Sequence, residues 1–214
     1  MFLPLIRWTR YDLGCTFLPV TMTLPPSLVP GRVYRTRELR AFSANPSRWA
    51  KRLVAQGVLR QPHHGLFYAP VQSRFGLVGV TDEELLRAFL GTDDFLITGP
   101  DVWNALGLGT TQLFAVTLVY NAGRTGEVEL GGRRFWFRRV RFPKEPPPEW
   151  YVVDLYQNER WMAEDTTRLD EYLARALRIG RLDRARLEEM VSEYARPALR
   201  GRLMRVLAAS ASAA

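Results

Sequence analysis

Between Ser47 and Arg52 the chain places a hydroxyl, two guanidiniums and an ammonium: Ser47, Arg48, Lys51 and Arg52. On a helix, Arg48 and Arg52 stand one turn apart on the same side, with Lys51 beside them. A guanidinium presents paired donors that match phosphate oxygens or the O6/N7 edge of guanine. Lysine offers a point charge instead. Ser47 falls in the first turn, where free backbone amides also face anions. Arg37 lies upstream of this cluster, and Arg60, His63 and His64 lie downstream. The neighbouring histidines, in a loop without a cysteine, are a poor zinc site and read as loop-tip donors.

Such a face needs a scaffold, and the flanking sequence supplies one. Asn45-Pro46 is a helix start, a capping side chain followed by a proline whose missing amide hydrogen costs nothing there. The helix runs to about Gln56, where Gly57 suits its end. Trp49, Leu53 and Val54 face inward. Upstream, Thr36 can cap a short helix through Phe42, with Leu39 and Phe42 on its apolar side. Downstream, Val58–Gln61 and Leu66–Ala69 flank Pro62-His63-His64-Gly65, which predicts a β-hairpin. Helix, helix and hairpin in that order predict a winged helix-turn-helix over residues 31–75, binding double-stranded DNA. Arg48 and Arg52 are the expected base contacts, with Ser47 a secondary reader. Lys51 and Arg37 are expected on phosphate, and Arg60 with His63 or His64 along the backbone or in the minor groove. The charge distribution agrees. Residues 31–75 hold nine Lys/Arg against one Asp/Glu, so the whole formal excess of +8 falls there, while the later segments balance. The alternative for the same pattern is an ordinary solvated face, or a scaffold that meets an acidic protein.

The remainder divides at prolines. Residues 1–30 read as a loosely ordered extension, with translation from Met22 as an alternative start. Residues 76–145 read as a central α+β region set off by the glycine-containing stretch 73–79. Pro143, Pro146, Pro147 and Pro148 read as a stiff linker to a helical region, 146–207, and 208–214 as a frayed tail. The fold class is therefore α+β. In the centre, Thr81 can cap a helix carrying Leu85, Leu86, Phe89 and Leu90. Thr98-Gly99-Pro100 starts another through Leu106. Leu113–Tyr120 reads as a strand, and Glu127–Leu130 and Arg133–Arg141 flank Gly131-Gly132 as an antiparallel hairpin. In that last strand Arg133, Arg134, Arg138, Arg139 and Arg141 either form a second basic surface or pair with acidic neighbours while Phe135 and Phe137 fill a core. Balanced local charge favours pairing. Beyond Trp150, Val153, Tyr156 and Trp161 predict one helix. Leu169–Leu177 (capped by Asp165, ended by Gly180), Leu187–Tyr194 and Leu199–Leu207 predict three more. These either pack together or dimerise the protein, with Trp150, Tyr151, Trp161 and Met162 as a possible contact patch; a dimer would suit palindromic DNA.

Other chemistries find little support. Cys15 is the only cysteine, so neither an internal disulfide nor a cysteine metal cluster can form. Asp154, Glu159, Glu164 and Asp165 offer carboxylates, but there is no phosphate-binding glycine loop, His-Glu-x-x-His or Gly-x-Ser-x-Gly. The expectation is a protein without enzymatic activity, cofactor or metal. The apolar start is broken by Pro4, Arg7, Arg10, Asp12 and Pro19, which predicts neither a membrane span nor a signal peptide and points to the cytoplasm.

The blocks Gly31-Arg32-Val33-Tyr34-Arg35-Thr36-Arg37-Glu38-Leu39, Leu53–Leu59 and His64-Gly65-Leu66-Phe67-Tyr68 are followed by Ile97-Thr98-Gly99-Pro100 and Asn104-Ala105-Leu106-Gly107-Leu108. Then come Tyr120-Asn121-Ala122-Gly123, Leu130-Gly131-Gly132-Arg133 and Phe137-Arg138-Arg139-Val140. Together they resemble the AbiEi-type antitoxins of bacterial type IV toxin–antitoxin and abortive-infection systems, over about residues 31–145. The resemblance implies an N-terminal DNA-binding domain that represses its own operon at inverted repeats. It further implies a larger C-terminal region that counters a nucleotidyltransferase toxin. By the same analogy Arg48, Lys51, Arg52 and the wing carry DNA binding, and no particular residue is assigned to the toxin. A stand-alone regulator without a toxin is the alternative.

Overall fold

The computed structural model describes Pro25 and residues 28–107, 116–159 and 166–212. Of the expected N-terminal extension only Pro25 and residues 28–30 are described, with Leu28 buried; the start of the strand from Leu113, and Trp161, Met162 and the Asp165 cap, lie outside the described residues. The described chain is an α+β fold: an N-terminal helix-and-strand region, a central mixed sheet and a C-terminal helical bundle.

The N-terminal region begins with β1 (Val33–Arg35), a single 3-10 turn (Glu38–Ala41), α1 (Pro46–Ala55), β2 (Arg60–His63) and β3 (Leu66–Tyr68). The sheet order is β1-β3-β2, all antiparallel. Period-2 alternation splits its faces. Tyr34 and Phe67 pair on one face and join Leu28, Leu39, Ala50, Leu53 and Leu59 in a core beneath α1. Val33 and Leu66 point the other way, into the core of the central sheet. Thr36 does not cap a helix. Its hydroxyl donates to the Gly65 carbonyl at 3.2 Å, and the next element is only one 3-10 turn, because Leu39 must drop straight into the core. The stretch expected to separate the first two regions is a second hairpin, β4 (Val71–Ser73) with β5 (Gly76–Val78). The division placed after Phe75 thus falls inside this hairpin, between its turn and β5.

Next come α2 (Asp82–Leu90), β6 (Phe95–Thr98), α3 (Pro100–Ala105), β7 (Val116–Asn121), β8 (Gly126–Leu130) and β9 (Arg133–Arg139). Thr81 caps α2 as expected, accepting from Glu84 N at 3.2 Å. The sheet order is β6-β7-β9-β8, with β7 and β9 parallel and β8 folded back on β9 through Gly131-Gly132. Both faces are covered, which explains why the consecutive residues Leu118, Val119 and Tyr120 of β7 are all apolar or aromatic and all buried. Val119, Phe135 and Phe137 pack toward α2, and Leu118, Tyr120 and Trp136 pack toward α3 and the C-terminal helices. Arg35 ties the N-terminal region to this body. Its guanidinium donates to the Ala88 and Phe89 carbonyls at the end of α2, where the helix dipole favours a cation.

The bundle comprises α4 (Pro148–Gln157), α5 (Thr166–Arg178), α6 (Arg184–Tyr194) and α7 (Pro197–Ser212). The proline run begins α4 rather than spacing it away, since proline is accommodated in a first turn. Helix α4 is buried along most of its length and shares a core with Trp103, Leu118 and Tyr120. Helix α7 runs to Ser212, past the expected stop at 207; Arg184 reaches the Leu207 carbonyl at 2.7 Å and Ser210 Oγ at 2.8 Å. Among the described residues, no helix is long and apolar enough to cross a membrane.

Candidate nucleic-acid interface

Helix α1 is fixed at both ends and along one side. Asn45 Oδ1 accepts from Arg48 N at 3.2 Å, and Gly57 takes a positive φ of 75° just beyond the last turn. Ala50 and Leu53 are buried, and Trp49 and Val54 half-buried. This anchoring turns Ser47, Arg48, Lys51 and Arg52 into solvent together. Among the described residues, none of their side chains has an ion pair or hydrogen bond. Arg37 and Arg40, on and beside the 3-10 turn, are likewise exposed and unpaired. Pattern reasoning misses Arg40 because it sits in the turn's last turn position rather than on a helix face. The region's one acid is occupied: Glu38 Oε2 accepts from Arg35 N at 2.7 Å and Oε1 lies 3.4 Å from Arg32. No other carboxylate occurs between Glu38 and Asp82.

The first hairpin departs from a projecting wing. Arg60 is exposed opposite Tyr68, and His64 is exposed at the turn. His63 is less open than His64. Its ring is half-buried edge-on against Phe89 of α2, centroids 5.2 Å apart, so the body claims it. The turn is tied down as well: Gly65 O accepts from Thr36 N at 2.9 Å, and Pro62 O accepts from Gly131 N at 2.8 Å.

The five arginines of the β9 segment are not one free surface. Arg133 pairs with Asp82 at 2.5 Å and donates to Val80 O at 3.0 Å. Arg134 lies 3.5 Å from Glu127, and Arg141 lies 3.7 Å from Glu193. Arg138 donates to Asn158 Oδ1 at 2.5 Å. Arg139 alone is exposed and unpaired among the described residues. Phe135 and Phe137, between them, are fully buried.

Of the four carboxylates considered for catalysis, the two described ones, Asp154 and Glu159, are also committed. Asp154, buried in α4, accepts from Thr98 Oγ1 (2.5 Å), Trp103 Nε1 (3.0 Å), Tyr120 OH (2.5 Å) and Asn158 Nδ2 (3.0 Å). Burial raises its pKa above the ordinary range, outweighing the donors that favour the charged form. Burial, with Asp154 beside it, also raises the Tyr120 phenol. Four donors leave this carboxylate little freedom to act on a substrate; it joins the sheet, α3 and α4. Sequence spacing cannot reveal it, because its partners span residues 98 to 158. Glu159 pairs with Arg202 at 2.7 Å, and Glu164 and Asp165 lie outside the described residues. Among those described, no three His, Cys, Asp or Glu side chains are grouped to hold a metal.

Comparison with protein families, characterised proteins and solved structures finds no match for this chain.

Proposed function

We propose that the N-terminal region binds double-stranded DNA as a small winged helix-turn-helix. The 3-10 turn stands as a reduced first helix, α1 is the recognition helix and β1-β3-β2 is the sheet behind it. The observation that carries this reading is the outward face of α1, whose three cations have no acidic partner among the described residues. A helix is of the right width for the major groove, where Arg48 and Arg52 would each read guanine and Ser47 a neighbouring base. Lys51, Arg37 and Arg40 would hold phosphates, with Arg60 and His64 at the flank.

The motif-level similarity to AbiEi-type antitoxins extends the proposal. The protein would repress its own operon at inverted repeats, as a dimer, and its C-terminal region would counter a nucleotidyltransferase toxin. Fluorescence anisotropy with the duplex upstream of its own gene tests the first part. Binding should weaken steeply with salt as counterions are released; folded protein that ignores DNA at low salt would end the proposal. Co-expression with a nucleotidyltransferase encoded beside it tests the second, through rescue of growth.

A further inference from the structure

The β4–β5 hairpin is the least covered part of the described chain. Val71, Leu77 and Val78 are all exposed, and Phe75, at 86% exposure, is the most exposed large apolar side chain among the described residues. A two-stranded hairpin is marginal in water, and exposed apolar groups add nothing to it. Yet its tip is built. Ser73 Oγ donates to Gly76 O at 2.8 Å and accepts from Phe75 N at 3.1 Å. Gly76 takes a φ of 114°, a conformation that other residues rarely adopt. The Arg74 guanidinium lies 4.6 Å from the centre of the Phe75 ring.

Two further observations say what such a tip could meet. Arg74 is the hairpin's only charge, and it lies within the carboxylate-free stretch between Glu38 and Asp82. The hairpin is also rooted near the proposed DNA surface. Strand β4 leaves β3 just after Tyr68, the residue paired with Arg60, and α1 delivers the chain to that same end of the sheet. We infer that the β4–β5 hairpin enters the DNA minor groove, Arg74 drawn to its negative floor and Phe75 wedged at a base step. This rests on the reading of the N-terminal region as DNA-binding. The minor groove is about 6 Å wide, too narrow for a helix but open to an aromatic edge and a guanidinium. Arginine is attracted where the groove narrows, and an apolar wedge partly unstacks a step and bends the duplex. A second copy of the chain suits the tip less well. Pairing hairpin to hairpin would bring two Arg74 side chains together with no nearby acid in this stretch.

The test uses the full chain and the duplex upstream of its gene, with dyes at both ends and netropsin as a minor-groove competitor. Wild-type protein should shorten the end-to-end distance, and netropsin should weaken its binding. Phe75→Ala should abolish the bend and weaken binding roughly tenfold, and Arg74→Ala should lose the netropsin sensitivity. If both variants bind and bend like wild type while Arg48→Ala with Arg52→Ala weakens binding, the hairpin proposal is overturned and the DNA reading stands. If wild type itself binds no DNA, that reading fails and takes the hairpin with it. If Phe75→Ala instead splits a dimer in sedimentation while leaving bend and netropsin competition intact, the hairpin is a protein contact and the inference is wrong.

Discussion

Arginine has two different fates in this molecule. In the body and the helical bundle many arginines are tied to partners: Arg133 to Asp82, Arg138 to Asn158, Arg202 to both Glu159 and Asp170, Arg184 to the end of α7. On α1, Arg48 and Arg52 are held in the open with nothing to bind among the described residues. The local density of arginine is not the difference, since β9 is richer in it than α1. What differs is the company. Wherever acids match bases in the sequence, the fold brings many of them together. Around α1 acids are missing from the local sequence and the fold brings none in from elsewhere among the described residues, so those cations stay in water. Local charge balance thus says more than the number of cations about why the α1 cations are left together in the open.

The sharpest way to break this contrast is to remove a partner from each region. Asp154→Ala should cost about 3–5 kcal/mol, because it strands the buried donors of Thr98, Trp103 and Tyr120 at once. Urea unfolding would read this, and a loss under about 1 kcal/mol would mean the cluster is not the joint described. Arg48→Ala with Arg52→Ala should do the reverse. Stability should stay within about 0.5 kcal/mol, as for exposed sites free of special contacts, while DNA affinity falls by about 1–3 kcal/mol for each lost bidentate contact. A large drop in unfolding midpoint for the double variant would show that these side chains belong to the fold after all.

How far this division is legible in the sequence depends on how local its causes are. The α1 face is legible because a cap, a proline, an apolar stripe and a polar stripe all lie within a dozen residues. The α2 cap and the Gly131-Gly132 hairpin are legible for the same reason. The packing of His63 against Phe89 is not legible because Phe89 comes from another element. The Asp154 cluster is invisible because it is assembled from five separate positions. The β4–β5 hairpin escapes notice because Ser73 and Gly76 look like loop residues until they are seen closing a turn. The parallel pairing of β7 with β9 is likewise a tertiary choice: covering both sheet faces decides it, and no local signal does.

Acidity provides a finer probe of the body. Burial lifts the Asp154 pKa in the folded state, whereas the unfolded chain keeps the ordinary value near 3.8. The folded state therefore binds the proton more tightly between those two values. Its contribution to stability is full below the ordinary value and is lost as pH rises through the raised one. Asp154→Asn cannot titrate. The stability of wild type relative to this variant should thus decline from about pH 4 upward, measured by urea midpoints at matched ionic strength. A flat difference would mean that the four donors fully offset burial.

The smallest expected effect separates two exposed cations that look alike. Lys51 and Arg139 are both uncovered and unpaired among the described residues, but only Lys51 sits on the proposed interface. If Lys51 neutralises a phosphate, Lys51→Ala should flatten the slope of log affinity against log salt by about 0.9 and weaken binding to all sequences alike. Arg139→Ala should leave the slope unchanged, because a charge off the interface releases no counterion when DNA binds. Equal changes in both variants would mean that the body also lies on DNA, and the two fates of arginine would then describe where the charges are paired without telling where the nucleic acid goes.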